Sequence, residues 1–232
     1  MKPQTTQVST GRNIFTSGFI MLSMFYSSSS FAQYFEVGPQ IGYGYTNISE
    51  STGFFKPSDI GKNVWKPNFG ASAIYYFKDP YVDKNTWVVG ALYRANTRGS
   101  ISPVNKESEY EIKSQTIALY GGLAYPLGEK FIYYYQVGLG LNLLDNEDNY
   151  DGAPNPEDLF DYLDEPADFK SSEFTAVYAF GIGTEVFQDR FSLLLQIDGD
   201  TGLSDINKSY DELRTQLLGM SLVLRYKLGG GE

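Results

Sequence analysis

The sequence predicts an all-β fold, an eight-stranded antiparallel up-and-down transmembrane β-barrel with a filled lumen, and three observations lead to it. Eight segments of about ten residues alternate between apolar and small polar side chains, the pattern of a strand whose two faces meet different surroundings. The connections between these segments alternate between short and long. The apolar faces carry no charge through the middle of the segments. Short turns at one end and long loops at the other are typical of outer-membrane barrels.

The strands follow directly from the alternation. The last segment shows it most plainly, because Leu218, Met220 and Leu222 share one face while Gly219 and Ser221 share the other. The predicted strands are 35–46, 69–78, 87–98, 112–125, 131–143, 174–186, 191–200 and 218–228. The predicted short connections are 79–85, 126–130 and 188–190, and the long ones include 47–68 and 145–173.

A soluble barrel of the lipocalin kind is the structural alternative, and it would place the charged face outside. Here the polar face consists mainly of Gly, Ser, Thr, Asn and Gln, which suits a narrow interior better than a surface in water. Aromatic residues such as Trp87, Phe131 and Tyr226 lie towards segment ends, where membrane interfaces enrich them. These features favour lipid outside the barrel.

The first 32 residues have the layout of a secretory signal peptide. Lys2 and Arg12 precede a charge-free apolar stretch over 14–26, and Ala32 lies where a signal peptidase cleaves. A membrane anchor is the alternative, but a helix of 13 residues is too short to span a bilayer. We therefore expect export, removal of 1–32, and a barrel domain over 33–232 in the outer membrane of a Gram-negative bacterium.

Three segments carry a resemblance to a known family. The runs Gly138–Asn142, Gly202–Ile206 and Leu222–Leu228 resemble the PorT-like outer-membrane β-barrel domain of Bacteroidetes. The resemblance implies a membrane barrel that associates with an envelope protein complex of the type 9 secretion or gliding kind. Outer-membrane strands commonly finish on an aromatic residue, whereas this chain continues beyond Leu228 with three glycines and Glu232.

The composition excludes several kinds of catalysis. The chain has no histidine and no cysteine, so it contains neither a Ser–His–Asp triad, nor a Cys–His pair, nor a histidine metal site. Carboxylate-only catalysis stays open, since Glu185, Asp198 and Asp200 are predicted to face inward on neighbouring strands. We favour a structural role for them and predict no catalytic residues.

Inward charges in a narrow barrel are expected to pair with one another, because a buried unpaired charge is costly. Arg94, Arg98, Arg225 and Lys227 are the available cations. Glu36 on the first strand is predicted to meet Arg225 or Lys227 on the last strand, across the seam that closes the barrel. The predicted polar network of the lumen consists of Glu36, Arg94, Glu185, Asp198 and Arg225.

The connection 145–173 is the most acidic part of the chain, with eleven acids and one lysine. Glu147, Asn149, Asp151 and Asp158 match positions 1, 3, 5 and 12 of a calcium loop, although position 1 is Glu and position 12 is Asp. A solvated acidic surface is the reading that we favour, with no cofactor beyond loosely held divalent cations. Apolar residues over 159–163 predict a short helix that packs on the rim or docks a partner.

Two functional classes remain open at this stage. The first is a non-enzymatic scaffold or interaction barrel that acts through its short turns, and the second is an OmpX-like adhesion or resistance barrel that acts through its long loops. The expected surroundings are outer-membrane lipid and lipopolysaccharide. A porin is disfavoured because side chains fill an eight-stranded barrel. Nucleic acid is excluded as a partner, since the net charge is −10 and the pI is about 4.5.

Overall fold

The computed structural model describes residues 34–49, 62–81, 83–101, 109–145, 170–187, 190–206 and 213–228. Eight strands run through these residues: β1 (Tyr34–Ser49), β2 (Lys62–Tyr76), β3 (Thr86–Ile101), β4 (Glu109–Leu127), β5 (Phe131–Asp145), β6 (Ser172–Val186), β7 (Phe191–Gly202) and β8 (Arg214–Leu228). The predicted signal peptide and the calcium-loop positions Glu147, Asn149, Asp151 and Asp158 lie outside the described residues. Those two expectations stay predictions.

The strands form one closed barrel in chain order. Each strand pairs with the next in antiparallel register, and β8 returns to pair with β1, so that Phe35 lies opposite Leu228. Closure leaves no strand edge whose backbone groups would lack partners in lipid. The predicted fold class is therefore confirmed. No helix long and apolar enough to cross a membrane occurs in the described part of the chain.

The two faces of the wall differ as the alternation predicts. Along β5, Val137 and Leu139 are exposed on the outside, whereas Gln136 and Asn142 are buried inside. The same change of face at every second residue recurs on β7 and the central part of β8. Apolar side chains that are exposed in a continuous belt would be unfavourable in water, so this outer surface suits lipid.

The connections of one end of the barrel are mostly shorter than those of the other. The turn end carries 77–85, 128–130 and 187–190, and the loop end carries 50–61, 102–108, 146–171 and 203–213, of which 102–108 alone is shorter than 77–85. Gly128 has a φ of 73° in its turn, a left-handed conformation that glycine adopts without steric cost. Phe187 adopts the same region with a φ of 53°. The turn end faces the periplasm in outer-membrane barrels.

The largest error in the predicted boundaries concerns β2. This strand begins at Lys62 rather than at residue 69, and the first connection is 50–61 rather than 47–68. Its pairing with β3 shifts register between Asn63 and Asn68, and Pro67 lies within that shift. The hydroxyl of Thr46 on β1 accepts a hydrogen bond from the backbone N–H of Gly99 at 3.0 Å there. Val64 and Asn68 are buried and Trp65 and Phe69 are exposed, so the alternation continues through this stretch, but Lys66 and Pro67 are residue types that a pattern search does not assign to a strand.

Candidate functional site

The lumen is crossed in its loop-side half by a buried group of two arginines and two aspartates, which we call the central ionic cluster (Arg94, Arg98, Asp198 and Asp200). Arg94 donates from Nη1 to Oδ2 of Asp198 at 2.7 Å and from Nη2 to Asp200. Arg98 lies 2.8 Å from Oδ1 of Asp200 through Nη1 and donates to Oδ2 through Nη2 at 2.9 Å. Two cations therefore meet two anions, and the cluster has no net charge.

The strand order shows that the ion pairs of this cluster cross the lumen. The arginines lie on β3 and the aspartates on β7, and these strands are four places apart in either direction around the barrel. Each ion pair therefore reaches across the lumen from one wall to the opposite wall. All four side chains are at most 3% exposed, so the cluster is packed tightly into the lumen.

A second buried carboxylate lies nearer the loop end. Glu173 accepts hydrogen bonds from the backbone N–H of Thr215 at 2.8 Å and from Nδ2 of Asn142 at 3.1 Å, and the Thr215 hydroxyl also contacts it. A side chain at Gly202 would collide with this carboxylate, so the glycine leaves room for it. The sequence reading counted Glu173 among the acids of the connection 145–173, which is wrong: it lies on β6 and faces the lumen.

The lumen between the central ionic cluster and the turn end, here called the turn-side chamber, is lined largely by apolar and aromatic side chains. Arg225 is buried there, where Nε donates to the hydroxyl of Ser72 at 3.1 Å and the guanidinium lies 6.0 Å from the centre of the Tyr134 ring. Ser192 donates to Oε1 of Glu36 at 2.5 Å. The buried apolar cluster of the chamber comprises Ile74, Tyr76, Val88, Ala124, Ile132, Tyr134, Leu194 and Val223.

The turn 77–85 folds back towards the chamber. Pro80 is buried, and Tyr81 packs against the apolar cluster. The side chain of Asp79 accepts a hydrogen bond from the backbone N–H of Tyr81 at 2.9 Å, and its carbonyl accepts one from Asp83 at 3.0 Å. Burial raises the pKa of Tyr81 well above that of an exposed tyrosine, so the hydroxyl stays neutral. This turn narrows the periplasmic mouth of the barrel.

The five residues predicted as one lumen network fall into separate groups. Arg94 and Asp198 are in direct contact, as described above, whereas Glu36 and Arg225 hydrogen-bond to serines in the turn-side chamber. Glu185 lies at the turn end and accepts from Nζ of Lys227 at 3.1 Å. The sequence places inward charges on their strands but does not reveal which of them meet across the lumen.

Of the two partners predicted for Glu36 across the closing seam, Arg225 lies close enough for its charge to act on the Glu36 carboxylate, whereas the prediction of Lys227 is wrong. Glu36 and Lys227 do lie opposite each other in the β1–β8 register. The ammonium of Lys227 nevertheless reaches Glu185 on β6, and Glu36 takes its hydrogen bond from Ser192 on β7. Long side chains in a narrow barrel reach past the adjacent strand, so register neighbours need not be interaction partners.

The inward-facing carboxylates that were candidates for catalysis are paired with cations. Asp198 and Asp200 are held by arginines and Glu185 by Lys227. Among the described residues, no group of three or more Asp or Glu side chains is placed to hold a metal ion. A cavity of about 20 Å³ lies between the central ionic cluster and the turn-side chamber, which is about the space of one water molecule. Around this cavity, the described side chains of the lumen are closely packed.

A closed barrel with an apolar outer belt and a lumen crossed by buried ion pairs defines an integral β-barrel protein of the outer membrane. Comparison with known families agrees, because the model of the family described as outer membrane protein beta-barrel domain matches residues 17–226. The chain belongs to this family, and it is an outer-membrane protein. No match is found among curated proteins.

Several solved structures match most of this chain at low sequence identity. Neisserial surface protein A is 15% identical with a TM-score of 0.47, and the match covers 84% of this chain and 97% of that one. Ail of Yersinia pestis, solved in complex with the heparin analogue sucrose octasulfate, is 13% identical with a TM-score of 0.38 and covers 83% and 99%. The outer membrane protein AlkL, solved in lipid bilayers, is 12% identical with a TM-score of 0.45 and covers 87% and 93%.

Proposed function

We propose that this protein is a non-enzymatic scaffold or interaction barrel that acts through its connections and not through its lumen. The observation that carries the proposal is the central ionic cluster, whose ion pairs run from β3 to β7 across the full width of the barrel. A solute would have to break several buried charge–charge contacts in order to pass. Activity is then left to the surfaces at the two ends of the barrel.

The state of the lumen carboxylates supports the absence of catalysis. A general acid or base needs a proton-transfer partner within reach and access for a substrate. Asp198 is held by Arg94 and by the hydroxyl of Ser221, Asp200 is held by Arg94 and Arg98, and both carboxylates are buried. Glu185 is only partly buried, but its carboxylate forms an ion pair with the ammonium group of Lys227. We therefore expect that neutralising these three carboxylates changes stability and leaves any partner binding intact.

For the partner, we propose an envelope protein complex met at the periplasmic end. The PorT-like resemblance of 138–142, 202–206 and 222–228 implies a link to type 9 secretion or gliding machinery. At the turn end, Lys78, Lys84 and Asn85 are exposed, while Tyr81 anchors the same turn against the lumen. A polar surface held on a fixed turn suits recognition of another folded protein.

An OmpX-like adhesion or resistance barrel is the second candidate, and one observation favours it. Between residues 146 and 169 the sequence has nine acidic and no basic residues. Such a segment at the cell surface would attract basic partners or divalent cations by long-range electrostatics. The two candidates differ in which end of the barrel carries the activity.

The test compares two variants that each alter one end. One replaces residues 147–168 by a short Gly-Ser linker, and the other changes Lys84 and Asn85 to serine. Each protein, tagged and purified from detergent-solubilised outer membrane, is analysed for co-purifying proteins by mass spectrometry. Heat-modifiable gel mobility shows that each barrel is folded.

The scaffold proposal predicts that the envelope proteins which accompany the wild type are lost from the turn variant and kept by the linker variant. The reverse pattern supports the adhesion candidate. If the wild type captures no envelope protein above the level of an unrelated barrel, the scaffold proposal is wrong.

A further inference from the structure

The outward face of β4 changes from apolar to polar towards the loop end. Leu119 and Ile117 are 71% and 53% exposed on the face that suits lipid, and the next two outward positions are Gln115 and Lys113, which are also exposed. A strand rises about 3.3 Å per residue and barrel strands are tilted by about 40°, so Lys113 lies about 10 Å above Ile117 along the membrane normal. The headgroup layer reaches about 5–8 Å beyond the hydrocarbon core. Gln115 and the flexible side chain of Lys113 therefore lie at the level of the headgroups in the outer leaflet.

The amide of Gln115 is oriented by a neighbour on the same face. Tyr93 of β3 donates from its hydroxyl to Oε1 of Gln115 at 3.3 Å. A glutamine side chain has one acceptor oxygen and one NH2 group with two donors. Because the oxygen is engaged, the side chain presents Nε2 as its donor, and Nε2 has no hydrogen bond to another described residue. The position between Ile117 and Lys113 thus offers hydrogen-bond donors.

Lys113 adds a positive charge that no described acid neutralises. Glu111, the next outward residue towards the loop end, forms an ion pair with Lys66 of β2. Asp145 lies opposite Lys113 in the β4–β5 register, but these two described side chains form no ion pair, and Asp145 has its interaction elsewhere. The ammonium group of Lys113 is therefore placed to attract an anionic headgroup.

We propose that this column of β4 (Leu119, Ile117, Gln115 and Lys113) binds a phosphorylated glycolipid of the outer leaflet. An acyl chain packs along Leu119 and Ile117, Nε2 of Gln115 donates to an oxygen of the sugar, and the ammonium group of Lys113 pairs with the phosphate. Apolar surface, donor and cation follow one another along the strand in the order in which acyl chain, sugar and phosphate follow one another out of the leaflet. The column continues the lipid-facing belt of the barrel, so its occupant is a lipid of that leaflet.

Other occupants use fewer of the groups in this column. Free phosphate meets Lys113 but gains nothing from the apolar side chains of Ile117 and Leu119. A phospholipid without a sugar offers the donors of Gln115 fewer acceptors. A basic protein segment is repelled by Lys113. A phosphorylated glycolipid uses the apolar, hydrogen-bonding and charged parts together.

The experiment uses the full mature chain in four forms: wild type, Lys113→Gln, Lys113→Arg and Lys130→Gln. Each is purified from outer membrane in a mild detergent, and native mass spectrometry counts the glycolipid molecules that stay bound. Lys130 is the matched control, because it is an exposed lysine in the turn 128–130 at the periplasmic end, away from the outer leaflet. Heat-modifiable gel mobility shows that each barrel is folded. Each delipidated protein is then titrated with lipid A that keeps or lacks its phosphates, and with phosphatidylglycerol.

We expect the wild type, Lys113→Arg and Lys130→Gln to retain glycolipid, and Lys113→Gln to bind phosphorylated lipid A about fivefold more weakly, which is the contribution of one lysine beside a charged lipid surface. Phosphorylated lipid A should bind the wild type more tightly than the other two lipids do, and excess inorganic phosphate should not displace it.

Equal binding by Lys113→Gln and the wild type would overturn the proposal, and release of that glycolipid by EDTA would identify a divalent cation as the bridge instead. Equal affinity of the wild type for dephosphorylated lipid A or for phosphatidylglycerol would also overturn it. Displacement by inorganic phosphate would show a site for a free anion. A wild type that neither retains nor rebinds glycolipid would show that the column has no such ligand.

Discussion

The central ionic cluster and the turn-side chamber hold buried charge in two different ways within one lumen. In the cluster, Arg94 meets aspartates directly, at 2.7 Å for Asp198. In the chamber, Arg225 and Glu36 are hydrogen-bonded to the hydroxyls of Ser72 and Ser192. Direct ion pairs recover desolvation energy only when the geometry is good, whereas neutral donors and an aromatic ring spread the charge over several weak contacts. We therefore expect the two regions to respond differently to the loss of one partner.

The largest expected effect is that of Arg94→Met, which removes the cation that contacts both aspartates of the cluster. It leaves Asp198 with no arginine and Asp200 with Arg98 alone, in a site that is almost fully buried. Breaking a buried pair on one side costs about 3–5 kcal/mol, because the remaining charge keeps its desolvation penalty. Urea unfolding of the refolded barrel in lipid vesicles measures the change.

The matched control for this change is Arg190→Met. Arg190 is exposed in the turn 187–190, so the same substitution should cost less than about 0.5 kcal/mol there. If Arg94→Met and Arg190→Met lowered the free energy of unfolding by the same amount, the buried Arg94 would contribute no more to stability than an exposed arginine.

Double-mutant cycles compare the two regions directly. One cycle uses Arg98→Met with Asp200→Leu, and the other uses Arg225→Met with Glu36→Leu. The first pair is in contact at 2.8 Å, so its interaction energy should be about 2–3 kcal/mol. Arg225 and Glu36 are each hydrogen-bonded to a different serine, so the coupling of the second pair should stay below about 1 kcal/mol. Equal coupling in both cycles would remove the distinction between the cluster and the chamber.

The sequence predicts the barrel well because its fold depends on a local pattern. Alternation fixes the inward or outward direction of each side chain from its own strand alone, which is why Gln136 inside and Leu139 outside follow from the sequence. The pattern is hidden where residue types are untypical of a strand, as with Lys66 and Pro67 in the first half of β2. The charge of Lys66 is accommodated there because it pairs with Glu111 of β4, a partner that the sequence of β2 does not reveal.

The sequence does not predict which charged side chains pair inside the lumen. Arg94 and Asp198 are 104 residues apart and come from opposite walls, so neither strand contains a signal for the other. Glu173 was missed for a different reason, since the acids that precede it masked its place in the alternation with Thr175 and Val177. A strand start read two residues earlier would have placed its side chain inside the lumen.

The carboxylate of Glu173 offers an intermediate case, a buried charge that is satisfied by neutral donors alone. In Glu173→Gln, an amide would turn a donor towards at least one of the groups that donate to Glu173, the backbone of Thr215 or the side chain of Asn142. We expect a loss of about 2 kcal/mol from the mismatched bond. Glu129→Gln in the exposed turn 128–130 is the matched control and should unfold like the wild type. A Glu173→Gln barrel as stable as that control would show that the charge of Glu173 is not needed.

The smallest expected effect is at the turn end, where Lys227 and Glu185 form an ion pair that remains in reach of solvent. Their side chains are 13% and 19% exposed, and the nitrogen–oxygen distance is 3.1 Å. Water screens such a pair, so Lys227→Met should cost only about 0.5–1 kcal/mol. Because salt screens charges near the surface, the cost should shrink further between low and high ionic strength, whereas that of Arg94→Met should hardly change. Urea unfolding of both variants at two sodium chloride concentrations tests this. If the cost of Lys227→Met did not change with salt, the ion pair of Lys227 and Glu185 would be as well shielded from solvent as the central ionic cluster.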